Sequence, residues 1–115
     1  MKISYEGIGQ WAATFACDGA VPGQVVKITE NDTAGPCDAG DSFGGVTLSV
    51  SRDGEACSVA LGGLQTVSYS GDSAPALGWS GLCADGAGGV KTDGGTKTYL
   101  VVSVNTAAKT VTFAL

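Results

Sequence analysis

The stretch that decides the fold is Val46-Thr-Leu-Ser-Val-Ser-Arg52, then Asp53-Gly54, then Glu55-Ala-Cys-Ser-Val-Ala-Leu61. Two seven-residue runs rich in Val, Ser and Thr flank an Asp-Gly pair. Asp-Gly between alternating apolar residues is a two-residue type I′ hairpin signal, because Gly adopts positive φ without a Cβ penalty. Leu48 and Val50 are expected on one face of the first run, and Val59 and Leu61 on one face of the second. A second hairpin is expected at the end of the chain. There Tyr99–Val104 and Thr110–Leu115 flank the polar and small residues Asn105–Lys109, with Val111, Phe113 and Leu115 on one face.

Working outward, turn signals recur at short intervals: Asp18-Gly19, Pro22-Gly23, Asn31-Asp32, Gly71-Asp72, Asp85-Gly86 and Asp93-Gly94-Gly95. Asp and Asn bond back to nearby amides and Gly supplies positive φ, so these pairs punctuate strands. Strands are expected near Trp11–Cys17, Gln24–Thr29, Gly45–Arg52, Glu55–Leu61, Leu64–Ser70, Gly81–Ala84, Val90–Thr92, Lys97–Asn105 and Thr110–Leu115. No window holds a 3.6-residue apolar period. Ala12–Ala16 is the one stretch that could wind as a helix, and Thr14 and Phe15 weaken it. The expectation is an all-β chain: residues 1–10 as a flexible N-terminal arm, and residues 11–115 as one domain. That domain is read as a small closed or partly open β-barrel, or a β-sandwich, with short strands and Gly-rich turns.

Composition agrees. In 115 residues there are 19 Gly, 43% hydrophobic residues and only 7% aromatic ones, so the core must be built from small side chains. The net charge of −5, with six scattered Lys and Arg, leaves no basic stripe for a phosphate backbone, so no nucleic-acid partner is expected. The first residues lack the apolar run of a signal peptide, and Tyr99–Val102 is too short to cross a bilayer. Folding in a reducing cytoplasm, with no membrane partner, is expected. Cys17, Cys37, Cys57 and Cys83 then read as free thiols acting as small hydrophobes.

Histidine is absent. That removes the Ser-His-Asp and Cys-His arrangements and the commonest general base near neutrality. Most carboxylates sit in turn pairs, where backbone bonding explains them. Asp38 and Asp41 lack the Asp-x-Asp-x-Asp-Gly spacing and closing Glu of a calcium loop. The glycine clusters Gly44-Gly45, Gly62-Gly63 and Gly86–Gly89 do not open a helix as phosphate loops do. No catalytic residue, no metal ligand and no cofactor is therefore expected, and the protein is read as a non-enzyme. Trp79 is expected in core or barrel-end packing, and Trp11 in either core or interface.

The order of segments resembles a known type. Pro22-Gly-Gln-Val-Val-Lys-Ile28 is followed by Ala39-Gly-Asp-Ser-Phe-Gly-Gly-Val46 and Ser58-Val-Ala-Leu-Gly-Gly-Leu64. Then come Ala76-Leu-Gly-Trp-Ser-Gly-Leu82, Tyr99-Leu-Val-Val-Ser-Val104 and Thr110-Val-Thr-Phe-Ala-Leu115. This series is similar to small phage and prophage head proteins of the capsid decoration, or head-stabilising, type. The resemblance implies a compact, cofactor-free protein made in the bacterial host cytoplasm and carried on the virion head. It implies a major capsid protein lattice as partner and a homo-oligomer, in many members a trimer. It also implies an N-terminal arm that adds to a capsid strand, which makes Ile3, Tyr5, Ile8 and Trp11 the expected partner-binding residues. Two alternatives stand beside it. One is another head–tail or fibre-anchoring structural protein. The other is a barrel binding a carbohydrate or small ligand, with Trp11, Trp79 and Tyr69 as stacking platforms.

Overall fold

The computed structural model describes residues 11–71, 73–92 and 97–115. The expected arm, residues 1–10, lies outside them, and with it Ile3, Tyr5 and Ile8. All regular structure among the described residues is β. Ten strands form: β1 Trp11–Cys17, β2 Val25–Glu30, β3 Thr33–Pro36, β4 Gly45–Val50 and β5 Ala56–Gly62, then β6 Leu64–Ser68, β7 Gly78–Ala84, β8 Val90–Thr92, β9 Thr98–Asn105 and β10 Thr110–Ala114.

The first five strands close into a barrel of order β1-β3-β2-β4-β5, with β5 pairing back onto β1. The last five form a sheet of order β6-β10-β9-β7-β8. The all-β expectation holds: a closed barrel is present, with a second sheet packed against it.

Two consecutive valines show how one strand serves both. Val26 points into the barrel with Ala34, Cys57 and Val59, while Val25 points out and joins the core beneath the second sheet. A five-stranded barrel encloses little volume, which small residues and a few partly buried larger ones, Phe15 and Leu61, fill. The larger core lies between barrel and sheet. There Phe43 stacks on Tyr99 with ring centroids 4.9 Å apart and planes 11° apart, and Phe113 meets both rings edge-on at 5.7 and 5.3 Å. The loop carrying Phe43 is stitched to the sheet by backbone bonds: Gly40 N–H donates to Ala84 C=O at 2.8 Å, and Ala84 N–H to Asp41 C=O at 2.9 Å.

The central hairpin keeps its expected register but not its expected turn. Ser51 N–H donates to Ala56 C=O at 2.8 Å, and Gly54 N–H to Ser51 C=O at 3.0 Å, so Arg52–Glu55 form a four-residue loop. Gly54 alone has positive φ, +75°. A type I′ turn needs positive φ at both central residues. Asp53 stays out of that region because its Oδ1 accepts from the Ser51 hydroxyl at 2.6 Å and from Glu55 N–H at 3.0 Å. The expected face of Leu48 and Val50 also fails. The β4–β5 register shifts between Thr47 and Ser49, so Leu48 is bulged out and 42% exposed, while Val50 packs partly on the barrel interior.

Candidate interaction surface

The second sheet covers the core with one face only. Along β10, Val111 and Phe113 point inward and are fully buried, so Thr110, Thr112 and Ala114 point outward. Cross-strand register then aligns the outward residues of four strands. Leu64 on β6 stands opposite Ala114 on β10, Ala114 opposite Leu100 on β9, and Leu100 opposite Trp79 on β7. These four make an unbroken apolar row across the sheet. Beside it runs a hydroxyl row, Thr66, Thr112 and Ser103, in which the Thr66 and Thr112 hydroxyls are 2.7 Å apart and hydrogen-bonded.

Trp79 corrects the sequence expectation of core packing: it is 73% exposed. Parity explains it. Gly78 pairs with buried Val101 and Ser80 with buried Tyr99, so the residue between them must face away from the core. Leu77 is 69% exposed just before the strand. Val102, 39% exposed, bulges where the β9–β10 register shifts. The row therefore widens into an apolar patch at the Trp79 end.

Charge marks the same face. The five strands of this sheet contain no carboxylate and one charged residue, Lys91. Among the described residues Glu30 is the one carboxylate within a strand, and the others lie in turns and loops. Apolar patches of this kind on otherwise charged proteins mark contact surfaces.

Trp11, the one expected partner-binding residue that is described, lies elsewhere. It is 59% exposed at the start of β1, its indole laid over Gly62. Tyr69 is buried in the core at 6% exposure, so it cannot serve as a stacking platform. A shallow cleft of about 230 Å³ on the barrel wall, lined by Thr14, Ser49, Ser51, Cys57 and Ser58 among others, has no aromatic wall.

Several carboxylates near the core have structural partners. Lys27 Nζ is 2.6 Å from Asp41 Oδ2, which also accepts from Asp38 N–H at 2.9 Å. The Lys27 hydrogen bond, then the Asp38 amide, hold the Asp41 carboxyl below its ordinary range, and Asp41 in turn raises Lys27. Asp85 Oδ1 caps its turn by accepting from Ala87 N–H at 2.7 Å and Gly89 N–H at 3.1 Å, while its Oδ2 takes the Ser70 hydroxyl. Cys17, Cys37 and Cys57 are free thiols, as expected, and Cys83 is fully buried. Burial, then the negative charge of Asp41, pushes Cys37 up to about 11. Burial and the adjacent Cys17 thiol raise Cys57. Both shifts disfavour the thiolate form. Among the described residues no group of three His, Cys, Asp or Glu side chains is placed to hold a metal ion.

Nothing known matches. No family model, no curated protein and no solved structure is similar to this chain.

The outward row was hidden in the sequence because each strand contributes one residue to it. Leu64, Leu100 and Ala114 each read locally as ordinary strand residues. Only Trp79, exceptional in size, carried a signal, and its strand was expected to start two residues after it.

Proposed function

We propose that this chain is a non-enzymatic structural protein that binds other protein surfaces through the outer face of its second sheet. The observation that carries the reading is the row Leu64–Ala114–Leu100–Trp79, apolar and free of charge in an acidic protein. A rigid sheet loses little conformational freedom when covered, and a Trp beside Leu and Val supplies the large anchor typical of binding hot spots.

The partner class follows from the resemblance. We propose the major capsid protein lattice of a phage or prophage head, with this chain as a head decoration protein acting in the virion. Copies would meet around local symmetry axes, a trimer being the assembly that the family type implies. A lattice suits a patch of this modest size, because many equivalent weak contacts add to high avidity.

The test is co-sedimentation with empty heads of the phage or prophage that encodes the chain. The wild-type protein is expected to pellet with the heads, and Trp79→Ser, which alters an exposed side chain, to stay in the supernatant. Wild-type protein remaining in solution at saturating heads overturns the decoration role. Equal pelleting of both proteins overturns the role of the sheet face.

A further inference from the structure

The barrel closes where β5 pairs back onto β1, and two cysteines meet at that seam. Strand register brings them there. Phe15 on β1 stands opposite Cys57 on β5, and both pack in the barrel interior. Side chains two apart on a strand share a face, so Cys17 turns inward beside Phe15 and comes diagonal to Cys57. The Cys17 amide fixes the level of the strand end by donating to Glu55 C=O at 2.9 Å. Cys17 packs against the cluster that contains Cys57, and the two thiols are in hydrogen-bonding contact. The Cys17 thiol itself reaches the Ala20 carbonyl at 3.9 Å, which leaves its sulfur open to accept from Cys57. The remaining cysteines lie elsewhere: Cys37 belongs to the core between barrel and sheet, and Cys83 stands on β7.

The two sulfurs differ in access. Cys57 is 2% exposed, whereas Cys17 is half-buried at the last residue of β1. Asp18-Gly19 follows, where a Gly19 φ of +83° turns the chain away. A strand end beside such a turn can shift inward, from a diagonal contact to the Cβ separation of roughly 3.5–4.5 Å that a disulfide needs.

We propose that Cys17 and Cys57 form a reversible redox pair, oxidised by small disulfides to a cross-link that staples β1 to β5. Cys17, once it has lost its proton, attacks one sulfur of the small disulfide. A mixed disulfide forms and the first thiol leaves. Cys57 then loses its proton and attacks the Cys17 sulfur, and the second thiol leaves. The protein gives up two electrons and two protons, and the small disulfide is reduced to two thiols. Burial, then the contact with Cys17, disfavours the Cys57 thiolate, so this second step quickens as pH rises. The cross-link closes a loop of roughly 40 residues and so restricts the unfolded chain. It rests on the barrel seam alone and stands independently of the capsid reading.

The test incubates the full native chain with oxidised glutathione and quenches the reaction in acid. Remaining thiols are alkylated in denaturant and the peptides are mapped by mass spectrometry. In the wild-type protein Cys17 and Cys57 are expected to lose alkylation together and to appear joined within one chain. Both should regain it after treatment with a dithiol reductant. Cys57→Ser is expected to stop at the glutathione adduct on Cys17, and the cross-linked wild-type protein to melt roughly 5 °C higher or more. The wild-type map decides whether or not the variant folds. Full alkylation of Cys17 and Cys57 at saturating oxidised glutathione overturns the pair, as does an adduct on Cys17 that goes no further. A cross-link between two chains, or one that includes Cys37 or Cys83, overturns it too. A cross-linked protein that melts no higher than the reduced one overturns the stapling.

Discussion

Single residues carry this core because its side chains are few and small. Phe113, fully buried and touching both Phe43 and Tyr99, is the keystone of the inter-layer core. Truncation to Ala is expected to cost about 3–5 kcal/mol, read as a lower denaturant midpoint at unchanged slope. Thr47 and Gln65 lie at the other extreme. Thr47 Oγ1 and Gln65 Nε2 are buried with no hydrogen-bond partner among the described residues. Replacing a buried unsatisfied group by an apolar one of similar shape removes a desolvation penalty. Thr47→Val should therefore stabilise by about 1 kcal/mol, and a loss of stability would show that the hydroxyl is satisfied in solution. The thiols give a third check. Cys37, Cys57 and Cys83 are buried and Cys17 is half-buried. A thiol reagent should modify the native protein slowly and all four cysteines rapidly in denaturant.

At the level of elements, alternation and turn chemistry made most strands legible. β1 and β8 match their expected limits, and most others differ by one or two residues at an end. The miss is β3, Thr33-Ala-Gly-Pro36, which holds two of the poorest strand formers. Tertiary packing overrides propensity there. Ala34 is fully buried in the barrel, and a side chain at residue 35 would strike Thr29 Cγ2 at 2.9 Å. Without β3 the barrel could not close, so the sequence pointed to closure without revealing the strand that completes it. The bulges at Leu48 and Val102 escaped for a related reason. A bulge is set by the register against a partner strand, which periodicity within one strand does not record. The loop between β3 and β4 carries one acid-sensitive contact. Asp41 is held below its ordinary range by Lys27, so its contribution is present at neutral pH and is lost as pH falls through its lowered value. Asp53, lowered by the Ser51 hydroxyl and then the Glu55 amide, acts in the same direction. Melting temperature should fall on acidification below about pH 4, and the fall should be shallower in Asp41→Asn. An equally steep fall in that variant would place the acid sensitivity elsewhere.

For the whole molecule, fold class could be read from the sequence, whereas the apolar sheet face proposed as the contact could not. A sheet face is assembled from residues far apart in the chain: Leu64 and Trp79 stand at its ends only because β10 and β9 come between them. Sequence reasoning placed the contact in the N-terminal arm and at Trp11, and placed Trp79 in core or barrel-end packing. The structure reverses the role of Trp79 by putting its neighbours Gly78 and Ser80 on the core side. Among the described residues the sheet's five strands carry no carboxylate and only Lys91, while Glu30 is the one carboxylate within a barrel strand and the rest lie in turns and loops.

The most direct measurement uses Trp11→Phe, which leaves Trp79 as the sole tryptophan, and follows its fluorescence as empty phage heads are added. Emission from an exposed indole is expected to shift to the blue and become shielded from a soluble quencher, in proportion to the protein bound. Protein that binds the heads while its Trp79 emission and quenching stay unchanged would contradict the claim that this sheet face is the contact.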